Sequence, residues 1–165
     1  MADAYVAAGS NVRPRASLRQ ALRLLGREFP GLEASRAFAN AAVGFRGDDF
    51  INLVIRFPAD LPTEALIERL KAVERASGRP PGAPKWGPRT LDLDLLLHGG
   101  FVGHAAGKSL PHPDLLTRAC VLGPLAELAP ALAHPVAGER MDLLWERFDR
   151  KAHPLRPVSL DEPEE

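Results

Sequence analysis

Asp92 and Asp94 lie in a stretch, residues 90–97, where Leu91, Leu93, Leu95 and Leu97 alternate with Thr90, Asp92, Asp94 and Leu96. A β-strand with this pattern projects both carboxylates from one face, roughly 6–7 Å apart at Cα. Magnesium takes one or two carboxylates and completes its shell with water and phosphate oxygens, so the pair suits a magnesium–nucleotide platform. Alone, Asp-Leu-Asp is also what an exposed alternating strand carries by chance. The neighbouring residues change that balance. Arg79, Lys85, Trp86 and Arg89 precede the pair, the first three in a loop, residues 79–88, with four prolines and two glycines. That composition excludes regular structure and marks a candidate lid. Taken singly, the cations are a solvated surface and Trp86 is a hydrophobic plug. Together they set anion-binding cations beside cation-binding anions, which phosphoryl transfer requires for positioning and charge neutralisation.

The elements that must carry these residues follow from periodicity. Residues 4–8 read as a buried strand that turns at Gly9, Ser10 and Asn11. Leu18, Ala21, Leu22, Leu25 and Phe29 recur at helical spacing, with Ser17 and Gln20 in capping-box relation, and the helix stops at Pro30 and Gly31. Residues 32–38 are a candidate strand and residues 39–49 a glycine-containing loop. Residues 50–57 alternate, placing Ile51, Leu53, Ile55 and Phe57 on one face and Phe50, Asn52, Val54 and Arg56 on the other. Leu66, Ile67, Leu70 and Val73 mark a second helix ending at Gly78. Further on, residues 115–128 read as partly helical and residues 142–148 as a short helix. The domain is expected over residues 1–149, followed by a polar, frayed tail over 150–165. Strands 32–38 and 50–57 follow one another with no crossover helix between them, so pairing is expected to be antiparallel in part, in an α+β sheet with helices packed on it.

Composition narrows the function classes. Lys plus Arg and Asp plus Glu each number 21, which argues against a basic nucleic-acid-binding face. Aromatics at 6 % are also too few for an RNA-stacking sheet. No run approaches a membrane span and no signal-like segment opens the chain, so a cytoplasmic protein without membrane partners is expected. Cys120 is the only cysteine, so there is no disulfide framework; it reads as a small buried apolar residue rather than a catalytic thiol.

The run Lys85-Trp86-Gly87-Pro88-Arg89-Thr90-Leu91-Asp92-Leu93-Asp94-Leu95-Leu96 resembles the signature of the 6-hydroxymethyl-7,8-dihydropterin pyrophosphokinase family. Residues 4–11, Phe50-Ile51-Asn52, Glu74 with Gly78-Arg79, and Pro111-His112 with Arg118 resemble further segments of it, from about Tyr5 to about Trp145. The resemblance implies a ferredoxin-like, mostly antiparallel sheet in an α/β/α sandwich. It also implies transfer of diphosphate from ATP to a pterin hydroxymethyl group in folate biosynthesis, by a monomer using two magnesium ions. Carried over by position, Asp92 and Asp94 would hold the metals, with Arg79 and Arg89 as catalytic phosphate contacts. Glu74, Lys85, Trp86, Leu95, Ser109, His112 and Arg118 would form the ATP site. Val43, Phe50, Asn52, Trp86 and Cys120 would form the pterin site. The departures cluster on the pterin side. Cys120 aligns with a second stacking aromatic, Asn40 and Ala41 with a Thr-Pro pair, Lys71 with a glutamine, Pro81 with a basic residue and Pro113 with an aromatic. These changes keep two alternatives open: a relative with another acceptor alcohol, and a nucleotide- or pterin-binding module with reduced or no catalysis.

Overall fold

In the computed structural model, which describes residues 2–40, 50–77 and 91–164, eight strands and four α-helices succeed one another. They are β1 (Asp3–Ser10), α1 (Pro14–Glu28), β2 (Glu33–Ala34), β3 (Ala37–Asn40), β4 (Phe50–Pro58) and α2 (Thr63–Ala76). After these come β5 (Asp92–His98), β6 (Gly103–Ala105), β7 (Lys108–Leu110), a 3-10 turn (Pro113–Leu116), α3 (Ala119–Leu128), α4 (Met141–Arg147) and β8 (Arg156–Val158). The main sheet runs β5-β1-β4-β3-β8, with β2 also on β4, and every pairing is antiparallel. β6 and β7 form a separate hairpin. Among the described residues no helix is long and apolar enough to cross a membrane.

Strand alternation feeds two cores. Ala4, Val6 and Ala8 of β1 join Ile51, Leu53, Ile55 and Phe57 of β4 under the apolar stripes of α1 and α2. Tyr5 and Val54 turn to the other face and pack with α3. This is the expected α/β/α sandwich, and both predicted faces of residues 50–57 are observed. Residues 32–38 form two strand fragments rather than one. Ser35 interrupts them: its amide donates to the Val54 carbonyl at 2.9 Å and its hydroxyl accepts from the Val54 amide at 3.0 Å.

Three further sequence expectations fail for identifiable reasons. Leu97 does not share a core with Leu91, Leu93 and Leu95. The β1–β5 register passes from Val6↔Leu95 to Tyr5↔Leu97, leaving Leu96 as an extra residue, and the bulge turns Leu96 and Leu97 both towards α3. His98 consequently faces α2, with Nδ1 2.8 Å from Thr63 Oγ1 and Nε2 2.9 Å from the Ala59 carbonyl. Ser17 is not an N-cap, since α1 begins at Pro14 and the Ser17 hydroxyl donates to the Val12 carbonyl at 2.8 Å.

The third failure is the tail, which is neither frayed nor separate from the domain. β8 pairs with β3, and Leu160 and Val158 pack on the α1–α2 core. The Glu164 carboxylate accepts from the Arg15 and Ala16 amides at 3.0 and 3.2 Å, capping two of the donors that a helix start leaves unpaired. Arg15 Nε donates to the Ser159 carbonyl at 2.9 Å and Arg19 donates to that of Leu160. Polarity made the segment look solvated; its polar groups are instead spent on the helix end and the sheet edge. Removing residues 156–165 is expected to lower stability by roughly 2–4 kcal/mol, of which Glu164→Ala alone accounts for about 1. Urea unfolding checks this, and an unchanged midpoint would mean that the strap bears no weight.

Candidate active site

The register of the sheet places the site residues in rows. Asp92 on β5 stands opposite Gly9 on β1, Gly9 opposite Asn52 on β4, and Asn52 opposite Phe38 on β3. Two strand spacings, about 9–10 Å, therefore separate Asp92 from Asn52 on one face. The residue between them in that row is Gly9, which has no side chain, and a Cβ there would come within 2.5 Å of Asn52 Oδ1. The next row, Asp94–Ala7–Val54, borders the core beneath α3. Phe50, two residues before Asn52, shares its face and is half-buried.

The two carboxylates are held from behind. β5 is an edge strand, and the buried Glu74 of α2 accepts from the Leu93 amide at 2.7 Å, between the two aspartates. Sequence reasoning assigned Glu74 to ATP; the structure shows it clamping the strand that carries the aspartates. Burial pushes the Asp94 carboxyl above the usual aspartate range, and the charge of Asp92 adds to the effect. His112 and Lys108 oppose the rise, whereas Asp114 contributes to it. A pair of carboxylates side by side on a rigid strand is a donor set suited to a hard cation.

His112 reaches this corner because its amide donates to the Leu96 carbonyl at 3.0 Å, next to the bulge. Its Nδ1 accepts from the Asp114 amide at 3.1 Å, so the neutral ring carries its proton on Nε2. Asp114 lies 3.6 Å from the half-buried Arg118 guanidinium, at the start of α3. Ser109 is exposed on β7, its hydroxyl 3.0 Å from His104 Nδ1. The neighbouring Lys108 is close enough to act on Asp94, a contribution that no sequence pattern reveals, since it depends on how the β6–β7 hairpin docks on β5.

Two assigned side chains are not on the site's open surface. Leu95 points into the opposite core, under α1 and α2. Cys120 is 6 % exposed in the α3 core, and burial pushes its thiol pKa up, as expected for a small apolar filler. Val43, Arg79, Lys85, Trp86 and Arg89, with the expected lid, lie outside the described residues. A separate cleft of about 620 Å³ opens across α3, lined among others by Phe38, Trp145, Arg36 and Glu127. Neither aspartate nor Asn52 lines it, and Arg36 is ion-paired to Glu127.

A family profile described as 7,8-dihydro-6-hydroxymethylpterin-pyrophosphokinase (HPPK) matches residues 5–130, which include both aspartates, Asn52 and His112. The chain belongs to that family. Similar curated proteins are the 2-amino-4-hydroxy-6-hydroxymethyldihydropteridine pyrophosphokinases of Aquifex aeolicus and Pseudomonas aeruginosa. The first is 35 % identical over 82 % of this chain and 86 % of that protein; the second is 36 % identical over 85 % and 88 %. The Synechocystis protein of the same name is 37 % identical, and the match spans 72 % of this chain and 62 % of that one. Among solved structures, a triple mutant of Plasmodium falciparum HPPK-DHPS superposes with a TM-score of 0.71 at 12 % identity. That match covers 91 % of this chain and 42 % of the longer one, and supports the fold.

The raised Asp94 pKa has a defined sign. The folded protein binds this proton more tightly than the unfolded chain, so stability is greatest below the ordinary aspartate pKa and falls as pH rises through the elevated one. In magnesium-free buffer at neutral pH, Asp94→Asn is expected to melt above the wild type, with the gap closing as pH is lowered into the ordinary aspartate range. Thermal melts across pH measure this; a variant that melts below wild type at neutral pH would contradict it.

Proposed function

We propose that this HPPK-family chain transfers diphosphate from ATP to the hydroxymethyl group of 6-hydroxymethyl-7,8-dihydropterin, giving AMP and the pterin diphosphate, as a cytoplasmic monomer. The observation that carries the proposal is the row Asp92–Gly9–Asn52. It sets an amide able to read a heterocycle edge about 9–10 Å from a carboxylate pair, with a backbone floor between. Phe50 offers an aromatic face beside Asn52. A flat ring lying over Gly9, held by Asn52 and stacked on Phe50, directs its substituent towards Asp92 and Asp94.

Asp92 and Asp94 would hold two magnesium ions, which when bound neutralise the triphosphate and withdraw charge from the reacting phosphorus. The protein's own part is positioning. Glu74 fixes β5, and His112 presents its Nε2 proton as a donor near the carboxylates. Lys108 and Arg118 add positive charge on the same side. Arg79, Lys85 and Arg89 would meet the phosphates and Trp86 would close over the ring, roles that rest on the resemblance. Val43 and Cys120 would border the pterin pocket, Cys120 as packing and not as a stacking partner. The pterin hydroxyl attacks the β-phosphorus of ATP, the bond from that phosphorus to the α–β bridging oxygen breaks, AMP departs and the hydroxyl proton is released.

Incubation with Mg-ATP and the pterin, followed by chromatography, is expected to yield AMP only when the acceptor is present. ATP binding without AMP would point to another acceptor or to a module without chemistry. Asp94→Asn should lower kcat by about a hundredfold or more, because the charge that stabilises the transition state is no longer held. Gly9→Ala, whose methyl group would displace Asn52, should weaken pterin binding roughly tenfold with little change in ATP binding. Fluorescence titration with each ligand reads that split, and equal losses for both would remove Gly9 from the pterin floor.

A further inference from the structure

We propose that Asn40 is a positioning residue that fixes how Asn52 addresses its ligand, and thereby helps set acceptor specificity. The pairs Phe38↔Asn52 and Asn40↔Phe50 place all four side chains on one sheet face, with Asn40 and Asn52 as diagonal neighbours within side-chain reach. Asn52 Nδ2 donates to Asn40 Oδ1. Asn52 Oδ1 is the atom that a Cβ on Gly9 would strike, so the amide lies along the row, nitrogen towards β3 and oxygen towards β1 and Asp92.

A side-chain amide can turn over and exchange its donor and acceptor positions at little cost. Paired with Asn40, Asn52 cannot turn over alone: the two amides are coupled, and the observed pairing of Asn52 nitrogen on Asn40 oxygen selects one of the two orientations. With Asn40 in place, Asn52 presents its oxygen to the floor side, where an N–H on the ligand's pyrimidine edge meets it. The reverse orientation would set two donors against each other. Asn40 is itself on a fixed support. β8 pairs with β3 through Phe38↔Pro157 and Ala39↔Arg156, and Arg36, just before β3, donates to Glu127 of α3. The resembling family has threonine at this position, so the asparagine pair is a feature of this chain's own pocket.

The ligand's identity rests on the function proposed above, but the orientation of Asn52 can be read in the ligand-free protein. In ¹⁵N spectra, the Asn52 side-chain amide is expected to show one downfield-shifted, slowly exchanging proton in the wild type. Asn40→Ala should abolish that signature, and Asn40→Asp, which keeps an acceptor, should restore it. Pterin affinity should fall roughly tenfold in Asn40→Ala and stay within about threefold of wild type in Asn40→Asp, with ATP affinity unchanged in both. On an Asn52→Ala background, Asn40→Ala should cost nothing further. An amide signature indifferent to Asn40→Ala, additive losses with Asn52→Ala, or equal weakening of ATP would each overturn the assignment. Wild-type protein that binds no pterin would instead sink the proposed function, and the amide signature alone would then decide the role of Asn40.

Discussion

The structure depends on β1 being paired on both sides by antiparallel neighbours, in registers that are unbroken from Val6 to Gly9. With β4 on one flank and β5 on the other, Gly9 faces Asn52 and Asp92 at once, and Ala7 faces Val54 and Asp94. The period of two in a strand then leaves no freedom. A slip of one residue in either pairing would send the aspartates or Asn52 into the α1–α2 core. The small residues of β1 on this face, Ala7 and Gly9, keep its centre low. The large apolar side chains that fix the register, such as Val6, Leu53 and Phe57, work from the opposite face.

Function has been built against stability at the carboxylate edge. Burial and like charge make the ionised form of Asp94 costly, and the strand that carries it is held in place from behind. Glu74 occupies the outward amide of Leu93, so that an edge strand carrying two charges cannot fray. The bulge at Leu96 then lets the same strand change its allegiance. Its first half presents carboxylates, whereas Leu96 and Leu97 anchor beneath α3 and His98 buttons onto the start of α2.

How much of this was legible in the sequence varies by residue for physical reasons. Strict alternation over residues 50–57 was enough to put Phe50 and Asn52 on one face, because β4 has no bulge. The same reasoning placed Asp92 and Asp94 correctly but failed at Leu97, where one extra residue resets the phase without a mark in the sequence. Ser17 and Gln20 imitate a capping box, yet the helix begins earlier and takes its cap from Glu164, a partner that local pattern cannot reveal. Glu74, Lys108 and Asn40 act through tertiary contacts to β5 and Asn52, so no spacing rule singles out those roles. Leu95 joins the ATP site by motif position, and its place in the alternation puts its side chain in the core.

The contact between Arg15 and Glu164 joins residues 149 apart in the chain. Closing so long a loop is entropically costly and is rewarded only after the sheet is in place, so the contact belongs to the late, downhill side of folding. Interactions formed after the transition state do little for the speed of folding and act mainly by slowing its reversal. The C-terminal strap is thus a latch in the kinetic sense, setting how long β3, with Asn40 on it, stays docked once assembled.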